Sequence, residues 1–250
     1  MQKYSSLTLA IAIVIGLTLS AFILGKSIQR FKSDDRYISV KGFSEKEVKA
    51  DFVIWSLKLR IATNDLPEGS KSMEVARQKV IRFLTKNGID DSEIIRQGLT
   101  VSDRQANEYT PPNGLNLRYV IEETVEVRSN NVDTVQKVSR MTSELLDAGV
   151  ALAGSNEWRG SGLKFLFTKL NSIKPEMLAE ATRNAGLAAE QFTKESKTVL
   201  GKMRKANQGL FSILDRDESL GAQPDGNYSS GTIDLFKKIR VVISVEYSID

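Results

Sequence analysis

The chain has 250 residues, of which 41% are hydrophobic and 26% charged, an ordinary balance for a globular fold with one large domain or two small ones. The net charge of +4 is misleading: five of the 35 basic and two of the 31 acidic residues lie within residues 1–36, leaving 30 and 29 elsewhere, so no basic field points to nucleic acid. There is no cysteine and no histidine, which excludes disulfides, thiol chemistry and thiolate metal sites, and removes the commonest general base and transition-metal ligand.

The first element is Leu7–Leu24, eighteen residues without a charge. A bilayer core needs roughly 17–25 apolar residues in a helix, whereas the apolar part of a cleaved signal is about 7–15 long. Cleavage sites are poor here. Thr18, Leu19 and Ser20 lie inside the apolar run, and Ile23 stands where a small residue is wanted before Gly25. The expectation is a single-pass inner-membrane anchor with the following domain in the periplasm; the alternative is a cleaved signal and a free periplasmic protein. The flanks disagree over orientation. Lys26, Arg30, Lys32 and Arg36 follow the span while Lys3 precedes it, which favours a cytoplasmic domain. The six-residue N-terminal tail and the large domain after a first span favour export. Residues 1–36 are thus read as anchor and basic linker, and 37–250 as the folded domain.

Tyr37–Phe43 predicts a short strand. From Asp51, "DFVIWSLKLRI" puts Val53, Trp55, Leu57, Leu59 and Ile61 on one face and Ser56, Lys58 and Arg60 on the other, the period of a half-buried strand. Asp65, Pro67 and Glu68 open a helix, with Asp65 and Glu68 spaced for a capping box. Met73, Ala76, Val80 and Phe83 give it an apolar stripe, and Asn87 and Gly88 stop it. "SEIIRQGLTVSD", residues 92–103, predicts a strand and "RQANEYTPPNG" a loop. A long strand follows, with Leu117, Tyr119, Ile121, Glu123, Val125 and Val127 on one face. Asn130 and Asn131 cap a helix carrying Val135, Val138, Met141 and Leu145, ending at Gly149. The two strand–helix units read either as a weak architectural repeat or as two ordinary units.

"GLKFLFTKL" from Gly162 predicts another strand. Residues 171–175 open the longest soluble helix, with Leu178, Ala181, Ala185, Ala188 and Phe192 forming a stripe toward a sheet. "GKMRKANQGLFSILD" reads as a bent strand with a bulge at Gly209. Residues 215–232 are polar and Gly-rich, a loop. The last strand alternates Ile239, Val241, Ile243, Val245 and Tyr247 with Arg240, Val242, Ser244 and Glu246. Its uncharged run Val241–Val245 suggests an outer face or edge that meets another subunit or sheet layer, against the alternative of a central strand covered within the chain.

The order of "YISVKGFSEKEVKADFVIWSLKLRI", "YVIEETVEVRSNNVDTVQKVSRMTSELLDAG", "MLAEATRNAGLAAEQF", "LGKMRKANQGLFSI" and "KKIRVVISVEYSI" resembles the SIMPL-domain family from about Tyr37 onward. The resemblance implies an α+β fold: antiparallel sheet packed on one side by helices, one of them long and Ala-rich, after the N-terminal transmembrane helix. It also implies an exported bacterial protein, anchored or free in the periplasm, that tends to self-assemble. It supplies no catalytic motif.

Complete motifs for chemistry are absent from the sequence. Gly201 and Lys202 lack the rest of a phosphate-binding loop. A calcium loop from Asp215 fits at Asp217 and Ser219 but has Leu220 at position six and Gly226 at position twelve. Ser161 and Lys164 have Ser-Lys spacing, but on a strand they point to opposite faces. Trp158 and Arg159 read as an edge cap more readily than a stacking platform. Lys58 and Arg60 against Glu122 and Glu126 predict cross-strand ion pairs that set register. No catalytic, cofactor-binding or metal residue is assigned, and no cofactor. The expected function is a membrane-anchored, self-associating envelope protein that binds or scaffolds and is not an enzyme. A monomeric periplasmic module binding a small ligand or peptide is the alternative, and a carboxylate-dependent hydrolase is a third reading.

Overall fold

The computed structural model describes residues 15–22, 36–106, 117–153, 162–216 and 234–250. Residues 15–22 are helical, with Ile15, Leu17, Leu19 and Phe22 exposed. Among the described residues no helix is long and apolar enough to cross a membrane. The expected span Leu7–Leu24 runs outside the described residues at both ends.

The strands are β1 (Tyr37–Lys49), β2 (Phe52–Thr63), β3 (Ile94–Arg96), β4 (Thr100–Asp103), β5 (Tyr119–Ser129), β6 (Leu163–Leu166), β7 (Leu200–Asp215) and β8 (Phe236–Ile249). The helices are α1 (Leu66–Lys86), α2 (Val132–Ser139), α3 (Ser143–Asp147) and α4 (Leu170–Ser196). They form a mixed α+β fold with two sheets, ordered β1-β8-β7 and β3-β5-β2-β6, with β4 also on β5. The chain divides into two compact units. Unit 1 comprises residues 1–45, 174–212 and 240–250, and unit 2 comprises residues 46–173 and 213–239.

Unit 2 is built on the β2–β5 pair, antiparallel from Val53 opposite Ser129 to Thr63 opposite Tyr119. The strict alternation of β2 places Val53, Trp55, Leu57 and Leu59 on the core side, each under 4% exposed. They meet Ile121, Val125 and Val127 of β5, and Met73, Val80, Phe83 and Leu84 of α1. Burying each large apolar side chain contributes about 1.5–3 kcal/mol. Both ends of α1 follow their local signals. Asp65 accepts a hydrogen bond from the Glu68 amide at 3.0 Å, and Gly88 just past the last turn adopts φ +90°.

Two predicted elements are broken. The strand expected over 92–103 is β3 and β4. Arg96 faces Val125 and Thr100 faces Glu122, so Gln97–Leu99 place three residues opposite two and the register slips by one. The helix expected from Asn131 to Gly149 is interrupted at Arg140–Thr142, because α2 and α3 each turn a short apolar face to the same core through Val135, Val138 and Leu145.

In unit 1, α4 covers one face of the sheet. Val40, Val241, Ile243 and Val245 lie beneath Met177, Ala181, Ala185 and Ala189, all under 5% exposed. The helix begins at Leu170, so Pro175 is inside it, one turn later than its role as a helix opener predicts. The buried stripe runs Met177, Ala181, Ala185, Ala189, Thr193, while the expected Phe192 is 59% exposed. Steps of four hold that stripe over β1, where a Cβ on Gly42 would lie 2.0 Å from the Ala181 carbonyl oxygen. The side amide of Asn184 donates to the Phe43 carbonyl at 2.9 Å, and Ser44 donates to Glu180 at 2.6 Å, fixing the helix on the strand.

β8 is the middle strand of its sheet. Main-chain bonds from Ile249 to Arg36 and from Ala50 to Leu235 make it antiparallel to β1. Those between Val199 and Asp250, and from Arg216 to Phe236, make it antiparallel to β7. Both edges of β8 are therefore occupied, so the expected contact of its edge with another subunit fails, while Val242 and Ser244 on the face away from α4 are half-buried. Among the described residues the outer edges of β1 and β7 are unpaired.

Candidate functional site

Two surfaces, one in each unit, carry side chains whose placement goes beyond packing. In unit 2 the second face of the sheet bears the even residues of β2 and β5. Register sets Arg60 opposite Glu122, Lys58 opposite Thr124 and Ser56 opposite Glu126. The guanidinium of Arg60 meets Glu122 at 3.0 Å, the predicted cross-strand pair, with both side chains about half exposed. The second predicted pair is replaced. Glu126 is 7% exposed and is held by Arg128 at 2.5 Å and by the Gln97 side amide at 2.9 Å. The β3–β4 slip brings Gln97 there, and strand alternation alone carries no sign of it. Lys58, Arg60, Gln97, Thr100, Glu122 and Thr124 line a shallow cleft of about 240 Å³ on this face. Glu122 and Glu126 each face a guanidinium and lie four residues apart on one strand, about 13 Å, so they do not form a facing carboxylate pair.

Next to this face, Arg118 forks onto Asp103 of β4 with Nη2 at 2.9 Å. That hydrogen bonding holds the Asp103 carboxyl below its ordinary range and raises the Arg118 guanidinium. Asp90, bonded by the Ser92 hydroxyl and amide, is also lowered.

On the core face of unit 2 lies Glu123, 4% exposed and paired with Arg77 of α1 at 3.0 Å; its Oε2 has no partner among the described residues. Arg77 also pairs with Glu74 one turn back. Lys237, fully buried, reaches Asp215 at 2.5 Å. Its parity with Ile239 and Val241 is the signal that places it inward, although a lysine in that position reads as surface.

In unit 1 the notable surface is β7. Residues 202–210 are exposed without interruption, including Met203 at 45% and Leu210 at 91%. Among the described residues no strand pairs its outer edge. Lys202, Arg204 and Lys205 blunt that edge against indiscriminate pairing. Gly209 is a point of close approach: a Cβ there would lie 2.6 Å from the Val242 carbonyl oxygen.

The remaining sequence candidates do not assemble a site. Gly201 and Lys202 lie within β7, and Lys164 lies on β6 opposite Ile54. Ser161, Trp158, Arg159, Asp217, Ser219 and Gly226 fall outside the described residues. Among the described residues no group of three or more acidic, His or Cys side chains could hold a metal ion.

The family model described as SIMPL, protein of unknown function (DUF541), matches residues 38–247, most of the chain. No curated protein matches it.

Proposed function

The chain belongs to the SIMPL family, and on that premise we propose that it is a membrane-anchored envelope protein that self-associates and acts by binding or scaffolding, not by catalysis. The anchor in this reading is Leu7–Leu24, with the folded part in the periplasm. The exposed run on β7 supports self-association most directly. Two copies of an edge strand can pair antiparallel about a two-fold axis. With the axis at Asn207, Arg204 faces Leu210, Lys205 faces Gly209, and no cation faces another, directly or diagonally. Anchoring in a shared bilayer raises the local concentration and favours such pairing.

Because the chain has no cysteine, Asn207→Cys introduces a single thiol. In an antiparallel pair about that residue the two Cα atoms lie about 4.5–5.5 Å apart, within disulfide range. Mild oxidation should give a covalent dimer with Asn207→Cys and none with Lys205→Cys, whose two copies sit about 13 Å apart. Wild-type protein that light scatters as a monomer at about 50 μM, together with no cross-link at position 207, would reject self-association through β7. A monomeric module binding a small ligand or peptide would then be the better reading, and the cleft about Lys58 and Glu122 favours it.

A further inference from the structure

In unit 2 a groove of about 370 Å³ lies between β2, α1 and the chain at Gly149 and Ala151. Leu59 of β2 is buried beneath it and Ile61 is half-buried. Val75 and Ala76 of α1 form the facing wall, and Val75 is 51% exposed. On the third side the chain already serves β2: Leu59 bridges Leu152, and the Ala153 amide donates to the Lys58 carbonyl at 2.8 Å. The groove thus presents apolar side chains beside main chain that is already paired, which suits an aliphatic ligand better than a peptide.

Every charged residue that lines it is a cation. Arg60 is committed to Glu122, which does not line the groove. No carboxylate among the described residues lines it to neutralise Lys71 or Lys79. Lys79 donates to the Ala148 carbonyl at 2.8 Å, which holds its ammonium against the far wall and leaves two of its three donors. Lys71 and Lys79 lie two turns apart on α1, about 12 Å along its axis, with Val75 midway. Small-ligand sites span about 300–1,000 Å³ and combine apolar walls with a few placed polar groups, and this groove falls at the lower end of that range.

We propose that this groove binds a medium-chain aliphatic monocarboxylate. Its carboxylate accepts from the remaining donors of Lys79. Its chain lies along Val75 and Ala76 over Ile61, and the aliphatic stem of Lys71 covers the far end while that ammonium stays in water. Ser72 is the one uncharged polar side chain in the described lining, so a sugar or a free amino acid would leave most of its polar groups unpaired. The inference rests on the binding part of the proposed function and names a ligand class for it. It uses a different cavity from the cleft about Lys58 and Glu122, and it does not depend on β7 pairing.

The test uses the absence of native cysteine. Ser72→Cys places a single thiol in the groove, and Gly98→Cys places one in the cleft about Lys58 and Glu122. Each full-length variant, in a neutral detergent, is alkylated with N-ethylmaleimide over a range of decanoate concentrations. Ser72 and Gly98 are both exposed, so both variants should keep the wild-type far-ultraviolet dichroism. Decanoate should slow the Ser72→Cys reaction saturably, with half-protection below about 1 mM, and leave Gly98→Cys unchanged. Adding Lys79→Gln, or replacing decanoate with the uncharged decanol, should raise the half-protecting concentration at least about tenfold. No protection of Ser72→Cys by about 1 mM decanoate overturns the proposal. So does equal protection by decanol, equal protection in the Lys79→Gln background, or equal slowing of Gly98→Cys, which would mark partition into detergent or binding elsewhere. Cross-linking of Asn207→Cys reads assembly separately, so failure of one reading is distinguishable from failure of the other.

Discussion

Gly42→Ala and Gly98→Ala add the same methyl group to two strand-region glycines and should change stability in opposite directions. Neither glycine lies at a positive φ. At such a position alanine usually stabilises by about 0.4–1 kcal/mol, because the unfolded chain loses freedom. At Gly98 a Cβ would have nothing within 4 Å, so that gain should appear in full. At Gly42 the new carbon would lie 2.0 Å from the Ala181 carbonyl oxygen, 2.5 Å from the Ala185 nitrogen and 2.8 Å from the Ala185 Cβ. The first two are main-chain atoms of α4 and cannot rotate away. A normal carbon–oxygen contact is near 3.3 Å, so the helix must lift by roughly 1 Å, loosening the seat of Met177, Ala181, Ala185 and Ala189. Overpacking of this kind costs about 1–3 kcal/mol, and the rigid neighbours place Gly42→Ala at the upper end. In a chain of this size each kcal/mol moves Tm by about 2–4 °C. Thermal melts followed by circular dichroism should therefore show Gly42→Ala lowered by about 4–10 °C and Gly98→Ala unchanged or raised. Ala185→Leu, the same contact loaded from the helix side, should fall with Gly42→Ala. If Gly42→Ala melted at or above wild type, α4 would not press on β1 at that point and the account of the unit 1 core would be wrong.

Removing the partner of a buried carboxylate should be costly. Arg77→Ala leaves Glu123 buried without its guanidinium, which destabilises by about 3–5 kcal/mol, nearer the lower figure because a fifth of the Arg77 side chain is exposed. Adding Glu123→Gln should recover most of the loss in urea titrations, and a double variant no more stable than Arg77→Ala would show that the pair does not act as drawn. The Asp103–Arg118 fork gives a pH test. The Asp103 carboxyl is lowered from its ordinary 3.8, so its contribution is present above that value and is lost as pH falls through the lower folded-state value. Wild type should exceed Asp103→Asn in stability at about pH 6, and the difference should shrink as pH falls below 3.8. A difference constant over that range would mean that the stabilisation does not come from the carboxylate's charge.

The local grammar of the chain determined much of unit 2. Alternation in β2 named which of its residues share a face, Asp65 and Gly88 marked the ends of α1, and parity in β8 named the face that includes Lys237. The five segments in order were enough to indicate the family. A period reports which residues share a face; it does not report which strands lie alongside or what covers them. β8 is central because β1, some two hundred residues earlier, takes one of its edges, and no local signal encodes that. Arg60 met Glu122 as expected since each needed only the β2–β5 register. Glu126 instead went to Gln97 and Arg128 because a one-residue slip between β3 and β4 brought in a competing donor. On α4 a rotation of one position exchanged Phe192 for Thr193, since a stripe of small residues is nearly symmetric until Gly42 fixes where the helix can touch the sheet. The unpaired edge of β7 depends in the same way on where other strands stop, and strand ends far apart in sequence are decided by packing, after local propensity has been satisfied.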